Sequence, residues 1–442
     1  MVLFRAYDIR GVYKKDLDEK IMLKLGKALG TILKGNKNIA VGYDTRLSSK
    51  RLFDQFAKGI MSTGCNVISL GMVTTPMLNF YAWKNKTYGA MISASHNPKD
   101  WNGLKIIRPS GVSFINEMDE LKKTFKFNKF ISGSGKMTKK NVIEEYSTFI
   151  RRKLGRIKKK VVVEFFGGAG VATLPILKQL GLDVTSLHDV PDCNFFGFER
   201  PDPQKPGNLK MIKETVKEKE AEFGVAFDGD GDRAIFIDDK GNELNTSMAM
   251  AVFIDYILSK KRRGKIIITR DSASGLKELT EKLGGKLIWG KIGHGYMERR
   301  ISFENALFGG EQSGHLSFGD FYPFSDGFLA AAYMAKILSE SGEKLSTVTS
   351  KKEFSGINQI GKFYIDAKSR ENMVKVIKKL KKKYHNDQQV MGGVRIKLSR
   401  SEWVLMRPSQ ETPEINLCIE AKTKTKLNEL FQKYSKVVRK FI

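Results

Sequence analysis

Three carboxylates alternate with two glycines in Asp228–Gly229–Asp230–Gly231–Asp232, and Arg233 follows them. Glycine permits a tight turn, so the three side chains can converge on one point. Converged carboxylates repel unless a cation lies among them. An all-oxygen donor set suits Mg²⁺, Mn²⁺ or Ca²⁺ rather than zinc. An exposed acidic turn is the plainer reading of the same residues. An EF-hand loop is excluded, because it requires glycine where Arg233 stands and glutamate where Asp239 stands.

Other stretches place reactive side chains in turns. Ser93–Ala94–Ser95–His96–Asn97–Pro98 follows the small apolar run Gly89–Ile92, and Lys105 lies shortly beyond. A strand running into such a turn presents hydroxyls at the carboxyl edge of a sheet, where open α/β folds bind ligands. Asn97–Pro98 alone is an ordinary turn, with Ser95 as a local cap. Two glycine-rich segments each carry one imidazole: Trp289–Tyr296 holds His294, and Phe308–His315 holds Glu311, Ser313 and His315. Glycine-flanked polar groups add little apolar area to a core and suit a ligand-contacting loop, where His315 can move protons near neutral pH. Either histidine taken singly is compatible with a core or surface role. In Arg407–Pro408–Ser409–Gln410–Glu411–Thr412–Pro413, arginine, hydroxyls and turn amides combine as a phosphate group requires. Gly167–Gly168–Ala169–Gly170 is similar to a dinucleotide fingerprint, but the third small residue falls on Thr173, so a tight strand-to-helix turn is the preferred reading.

The elements around these loops alternate. Helical spacing over Asp18–Leu33, a strand at Asn38–Tyr43 ending in Asp44–Thr45–Arg46, a helix over Ser49–Thr63 and a strand at Asn66–Leu70 predict β–α–β units. Val161–Phe166 and Glu222–Phe227 read as buried strands beside the glycine turn and the acidic loop. Lys265–Thr269 reads as another, leading into Arg270–Asp271–Ser272. Residues 112–150 show weaker periodicity, and Arg151–Lys160 reads as a linker or helix end. From about Gly361 the segments shorten, with strands expected at Val394–Leu398, Trp403–Met406 and Ile415–Ala421 and a last helix at Lys424–Val438. The fold class expected is α/β, with three related mixed-sheet α/β domains and a smaller C-terminal α+β domain. The boundaries expected are 1–152, 153–250, 251–358 and 359–442.

The 442 residues leave room for two to four domains. Cys65, Cys193 and Cys418 are scattered, which argues against a disulfide framework or thiolate metal site and fits a reducing compartment. Arg5, Asp8 and Arg10 interrupt any secretory leader, and no apolar run reaches the roughly 18 residues of a membrane helix. A soluble, cytoplasmic protein with no membrane partner is expected. The formal charge of +29 is compatible with nucleic-acid binding, with attraction of small anions, or with a plainly basic surface. The lysines are dispersed, and aromatics are not interleaved with their short runs, so no nucleic-acid partner is expected.

Taken in order, Ser93–Pro98, Asp228–Arg233, Gly310–His315 and Arg407–Pro413 resemble the four signature loops of the α-D-phosphohexomutases. The opening Phe4–Arg5–Ala6–Tyr7–Asp8–Ile9–Arg10–Gly11 is most similar to the phosphomannomutase/phosphoglucomutase branch. The resemblance covers nearly the whole chain and implies four domains around a central cleft. It implies that Ser95 carries a transferable phosphoryl group and that Asp228, Asp230 and Asp232, with Ser95, hold one Mg²⁺. Arg10, His96, Lys105 and Arg233 would surround the phosphoserine, with His315 as general base or acid. Glu311, Ser313 and His294 would meet the sugar, and Arg407, Ser409 and Thr412 its non-reacting phosphate. The implied reaction interconverts hexose 1-phosphate and 6-phosphate of glucose or mannose through a 1,6-bisphosphate, which also serves as activator. The implied partner is a small phosphosugar, and the protein would be a monomer or homodimer. Glu411 departs from the family pattern, which has threonine there, and a carboxylate at that place bears on the phosphate grip. A phosphoglucosamine mutase is the alternative, since Glu311–His315 and Ile92–Ser95 also resemble that branch; a basic nucleic-acid-binding protein is the distant one.

Overall fold

Asn38–Tyr43 sits fourth in a six-stranded sheet, with Ile39, Ala40 and Val41 fully buried. A strand covered on both faces needs an apolar run of this kind, and each fully buried Ile or Val contributes roughly 1.5–3 kcal/mol. In this computed structural model, which describes residues 3–385, 387–390, 392–409 and 413–442, the sheet order is Asp8–Val12, Trp101–Ile107, Tyr88–Ile92, Asn38–Tyr43, Asn66–Met72, Met137–Lys139. The first three strands pair antiparallel and the rest parallel. Helices Glu19–Ile32 and Ser49–Met61 cover it, the first started by Asp18, whose carboxylate accepts from Ile21 N at 2.8 Å.

The chain folds as two compact units, one of residues 1–244, 294–305 and 313–346, the other of 245–293, 306–312 and 347–442. The first unit also holds a mixed four-stranded sheet, Ala234–Asp238, Phe223–Phe227, Lys160–Glu164, Asp183–Leu187, whose first pair is antiparallel and whose others are parallel. Helices His294–Glu304 and Gly327–Ser341 belong to this unit as well. In the second unit, Lys265–Thr269 pairs in parallel with both Lys286–Gly290 and Phe308–Gly310. Its C-terminal part is a five-stranded antiparallel sheet packed by helices Arg370–Lys383 and Lys424–Arg439.

Some expectations shift. The stretch with weak periodicity contains helices Glu117–Phe127 and Ile143–Leu154, and the segment from Arg151, read as a linker or helix end, begins as the last turn of the second of these. The glycine turn after Lys160–Glu164 opens into a 3₁₀ turn, Ala169–Thr173, and a helix of only six residues, Leu174–Gln179. Among the described residues, no helix is long and apolar enough to cross a membrane.

Candidate active site

The buried strand Tyr88–Ile92 delivers the serine loop to the edge of the first sheet. Ser95 takes a left-handed backbone, φ +52°, which costs a non-glycine residue roughly 1–2 kcal/mol. Its amide donates to Ser93 Oγ at 2.8 Å. Its hydroxyl donates to Asp228 Oδ2 at 2.6 Å and lies 3.2 Å from His96 Nδ1. The acidic loop joins the antiparallel strands Phe223–Phe227 and Ala234–Asp238, and Gly231 has φ +74°. A Cβ on Gly229 would meet Ser95 O at 2.6 Å, so this glycine is what lets the two loops close on each other.

All three aspartates are buried, and one carboxylate oxygen from each lies within 4.8 Å of the others. Lys105, on strand Trp101–Ile107, reaches Asp230 Oδ2 at 2.6 Å and Asp232 Oδ2 at 2.7 Å. Thr75 Oγ1, at the start of helix Thr75–Lys84, also donates to Asp230 Oδ2, at 2.6 Å. The second oxygens, Asp230 Oδ1 and Asp232 Oδ1, are buried and accept no hydrogen bond among the described residues. His315 Nε2 comes within 3.2 Å of Asp232 Oδ1. Three hard carboxylates with two buried oxygens left over fit a divalent metal ion.

Charge is concentrated here. Burial, then Asp232 and Asp230, push the Asp228 carboxyl well above its usual range. Burial works against the Lys105 charge, but Asp230 and Asp232 overcome it and hold the ammonium above its ordinary value. Burial likewise opposes the Asp232 charge, and Lys105 and His315 outweigh it, so this carboxylate titrates well below its usual range. Burial lowers His315 to about 4 despite the pull of Asp232. His294 is also held well below its ordinary value, by burial and by His315, on which it stacks with ring centres 5.0 Å apart. Both imidazoles are therefore neutral near pH 7. Ser313 Oγ lies 2.8 Å from His315 Nδ1.

Arg233 Nε stands 3.6 Å from Asp228 Oδ2. Arg10 donates to Asp8 Oδ2 and to Asn97 Oδ1, both at 2.7 Å, and so braces the serine loop from strand Asp8–Val12. The first unit thus gathers Ser95, His96, Lys105, Arg10, Arg233, His294, Ser313, His315 and the three aspartates. Glu311, Arg407 and Ser409 belong to the second unit. There Glu311 Oε2 accepts from Gly293 N at 2.8 Å, Arg407 is half-buried, and Ser409 N donates to Glu414 O at 2.8 Å. Thr412 and Glu411 lie outside the described residues. Sequence reasoning did not single out Thr75, Asp8 or Arg46 as contacts of these loops. The signal for Arg46 was its place after Asn38–Tyr43, at the same sheet edge as Ser95.

Models of the phosphoglucomutase/phosphomannomutase α/β/α domains I, II and III match residues 1–131, 142–241 and 245–353. The chain is 32% identical to a phosphoglucomutase/phosphomannomutase of Thermococcus kodakarensis over 97% of both chains. It is 31% identical to a phosphomannomutase of Methanocaldococcus jannaschii, covering 100% of this chain and 98% of that one. The crystal structure of a phosphoglucomutase/phosphomannomutase family protein from Burkholderia thailandensis superposes with a TM-score of 0.85 at 27% identity, covering 99% of this chain and 97% of that one. With all three domain models in order and relatives aligned over nearly their whole lengths, the chain belongs to the phosphoglucomutase/phosphomannomutase family of α-D-phosphohexomutases and is an enzyme of the hexose-phosphate mutase class.

Proposed function

We propose that the enzyme interconverts the 1-phosphate and 6-phosphate of glucose and mannose, with Ser95 as the phosphoryl carrier. The observation that carries this reading is the 2.6 Å contact between Ser95 Oγ and Asp228, two residues 133 positions apart, at a strained serine. Asp228, Asp230 and Asp232, with the Ser95 phosphate, would hold Mg²⁺, which when bound neutralises charge on the transferring phosphoryl group.

The remaining steps fall to the protein's own groups. A hexose monophosphate enters with its free hydroxyl toward phosphoserine 95. The bond from phosphorus to Ser95 Oγ breaks as a bond from phosphorus to the sugar oxygen forms, and the hydroxyl proton leaves to a base. Transfer of this kind asks mainly for in-line placement and charge neutralisation. Lys105, held in its charged form, and Arg233 and Arg10 supply positive charge beside the serine loop, with His96 at its hydroxyl. Neutral His315 is the base, its Nδ1 in reach of the Ser313 hydroxyl. Glu311, Ser313 and His294 meet the sugar, and Arg407, Ser409 and Thr412 hold the phosphate that does not react. The hexose 1,6-bisphosphate then presents its other phosphate, and Ser95 is rephosphorylated. The same bisphosphate serves as activator.

The glucosamine alternative leans partly on Gln312. That side chain is buried and occupied, accepting from Ser247 Oγ at 2.7 Å and donating to Asn245 Oδ1 at 3.0 Å. It is a packing residue of its unit, so this part of the likeness says little about the sugar. The test is a rate comparison on glucose 1-phosphate, mannose 1-phosphate and glucosamine 6-phosphate, primed with the matching bisphosphate, with phosphopeptide mapping of Ser95. Turnover of glucose and mannose phosphates, lost on chelation of divalent metal, is expected. Turnover of glucosamine 6-phosphate alone transfers the assignment to the alternative.

A further inference from the structure

Arg46 follows the strand Asn38–Tyr43, and its side chain is wholly buried. A guanidinium has five N–H donors in a fixed plane, and burying one demands a partner for each. Here all five are used. Nε donates to Asp44 Oδ2 at 3.0 Å. Nη1 donates to the carbonyls of Pro98 and of Trp101, the latter at 3.1 Å. Nη2 donates to the carbonyls of Ser95 and Asn97, both at 2.7 Å. Four of the five bonds therefore end on the backbone between Ser95 and Trp101.

The ion-pair partner is anchored in turn. Asp44 Oδ1 accepts from Ser49 Oγ and from the Arg46 amide, and Asn102 Nδ2 donates to Ser48 Oγ and Ser49 Oγ. The guanidinium also lies 5.1 Å from the ring centre of buried Phe195, which comes from the loop after strand Asp183–Leu187 of the second sheet. One cation thus ties the serine loop to the domain that carries the aspartates. The Ser95 carbonyl is held by Arg46 Nη2, and a Cβ on Gly229 would meet the same oxygen at 2.6 Å.

We propose that Arg46 is a positioning residue for the phosphoryl transfer. It holds the loop in the left-handed turn that aims Ser95 Oγ at Asp228, without itself reaching the reacting atoms. The proposal rests on Ser95 being the phosphoryl carrier. Lysine at this place could serve at most three of the five acceptors and none of them in a plane.

Four full-length proteins test it: wild type, Arg46→Lys, Phe195→Leu and Ser95→Ala. Each is assayed for kcat and KM on glucose 1-phosphate, for the single-turnover rate of phosphate transfer from glucose 1,6-bisphosphate to Ser95, and for thermal unfolding. Arg46→Lys should lower kcat and the transfer rate about 10²-fold with KM within about twofold, as a small misplacement of a reacting group does. Phe195→Leu keeps all five bonds but removes the stacking face, and should lower kcat roughly 3–10-fold. A merely structural arginine would lower the melting temperature and leave kcat per folded molecule within about twofold of wild type; that result overturns the proposal. If Arg46→Lys does not fold, Phe195→Leu decides by the same criterion. Activity retained in Ser95→Ala overturns the carrier reading itself, whereas a dead Ser95→Ala beside a normal Arg46→Lys overturns only the role of Arg46.

Discussion

The serine and aspartate loops of the first unit and Arg407 of the second differ in character. In the first, Ser95, the three aspartates, Lys105 and both histidines are buried and constrain one another at short distances. In the second, Arg407 is half-buried and makes a long bond, 3.4 Å, to the neighbouring Pro408 carbonyl. Groups of the first kind are preorganised, so they suit charge that develops during reaction. A half-exposed arginine suits a ligand that brings its own charge. Substitutions in the first unit should therefore act on kcat, and those in the phosphate loop on KM.

The largest effect expected is that of Ser95→Ala. Without the hydroxyl proposed as the carrier, kcat should fall by about 10⁴-fold or more, with no label in the protein after incubation with bisphosphate. Full turnover in this variant sinks the division between the units together with the mechanism. Lys105→Met comes next. It leaves Asp230 and Asp232 buried without their cation, and breaking such a pair costs about 3–5 kcal/mol. Calorimetry should show a marked loss of stability in chelator, partly recovered on adding Mg²⁺, with kcat reduced about 10²-fold. An unchanged melting temperature would mean that Lys105 is not what balances the two carboxylates.

Arg407→Gln probes the other side. If Arg407 grips the substrate phosphate as proposed, losing that charged contact should raise KM about 10–100-fold and leave kcat within about threefold, since such an interaction is equal in ground and transition states. A fall in kcat at constant KM would erase the contrast between the units.

The same contrast governed what could be read from the sequence. The acidic loop was legible because its chemistry is local: alternate carboxylates and glycines within five residues determine a convergent turn. Thr75 was not, because its partner lies 155 residues away and nothing in the intervening spacing announces it; Arg46, whose backbone partners lie 49–55 residues away, was signalled only by its place at the sheet edge. Helix Glu117–Phe127 escaped notice because only Met118 and Leu121 are buried, too few to show a 3.6-residue period. Helix Ile143–Leu154 hid its face similarly, since Ser147 stands among the buried positions and basic residues crowd its end. The parallel strands were plain because burial on both faces leaves an unbroken apolar run, as in Ile266–Ile268.

The smallest effect expected compares two buried glutamates, one in each unit. Glu298, on the helix that begins with His294, is 2% exposed; its Oε2 accepts from Ser113 Oγ at 3.1 Å, and Oε1 faces Ser325 N at 3.5 Å. Burial and, next, the charge of Asp232 raise its pKa to about 8. The folded protein therefore keeps a proton that the unfolded chain releases above about 4.5. The stability this group contributes is fully present below that value and is lost as pH rises toward 8, by at most about 1.4 kcal/mol per pH unit. Glu420 is also buried and raised, chiefly by burial, but Ser274 N, Ser274 Oγ and Asn358 Nδ2 all donate to it. A carboxylate with that many donors is needed as an acceptor, whereas Glu298 meets fewer and longer contacts, 3.1 and 3.5 Å. Glu298→Gln should melt like the wild type at pH 5, then a few degrees higher at pH 8, flattening the pH profile. Glu420→Gln should melt lower at both, because an amide turns two donors toward groups that need acceptors, at about 1–3 kcal/mol. Parallel profiles for wild type and Glu298→Gln between pH 5 and 8 would show that this carboxyl is ionised in the folded protein, and would make the two glutamates alike.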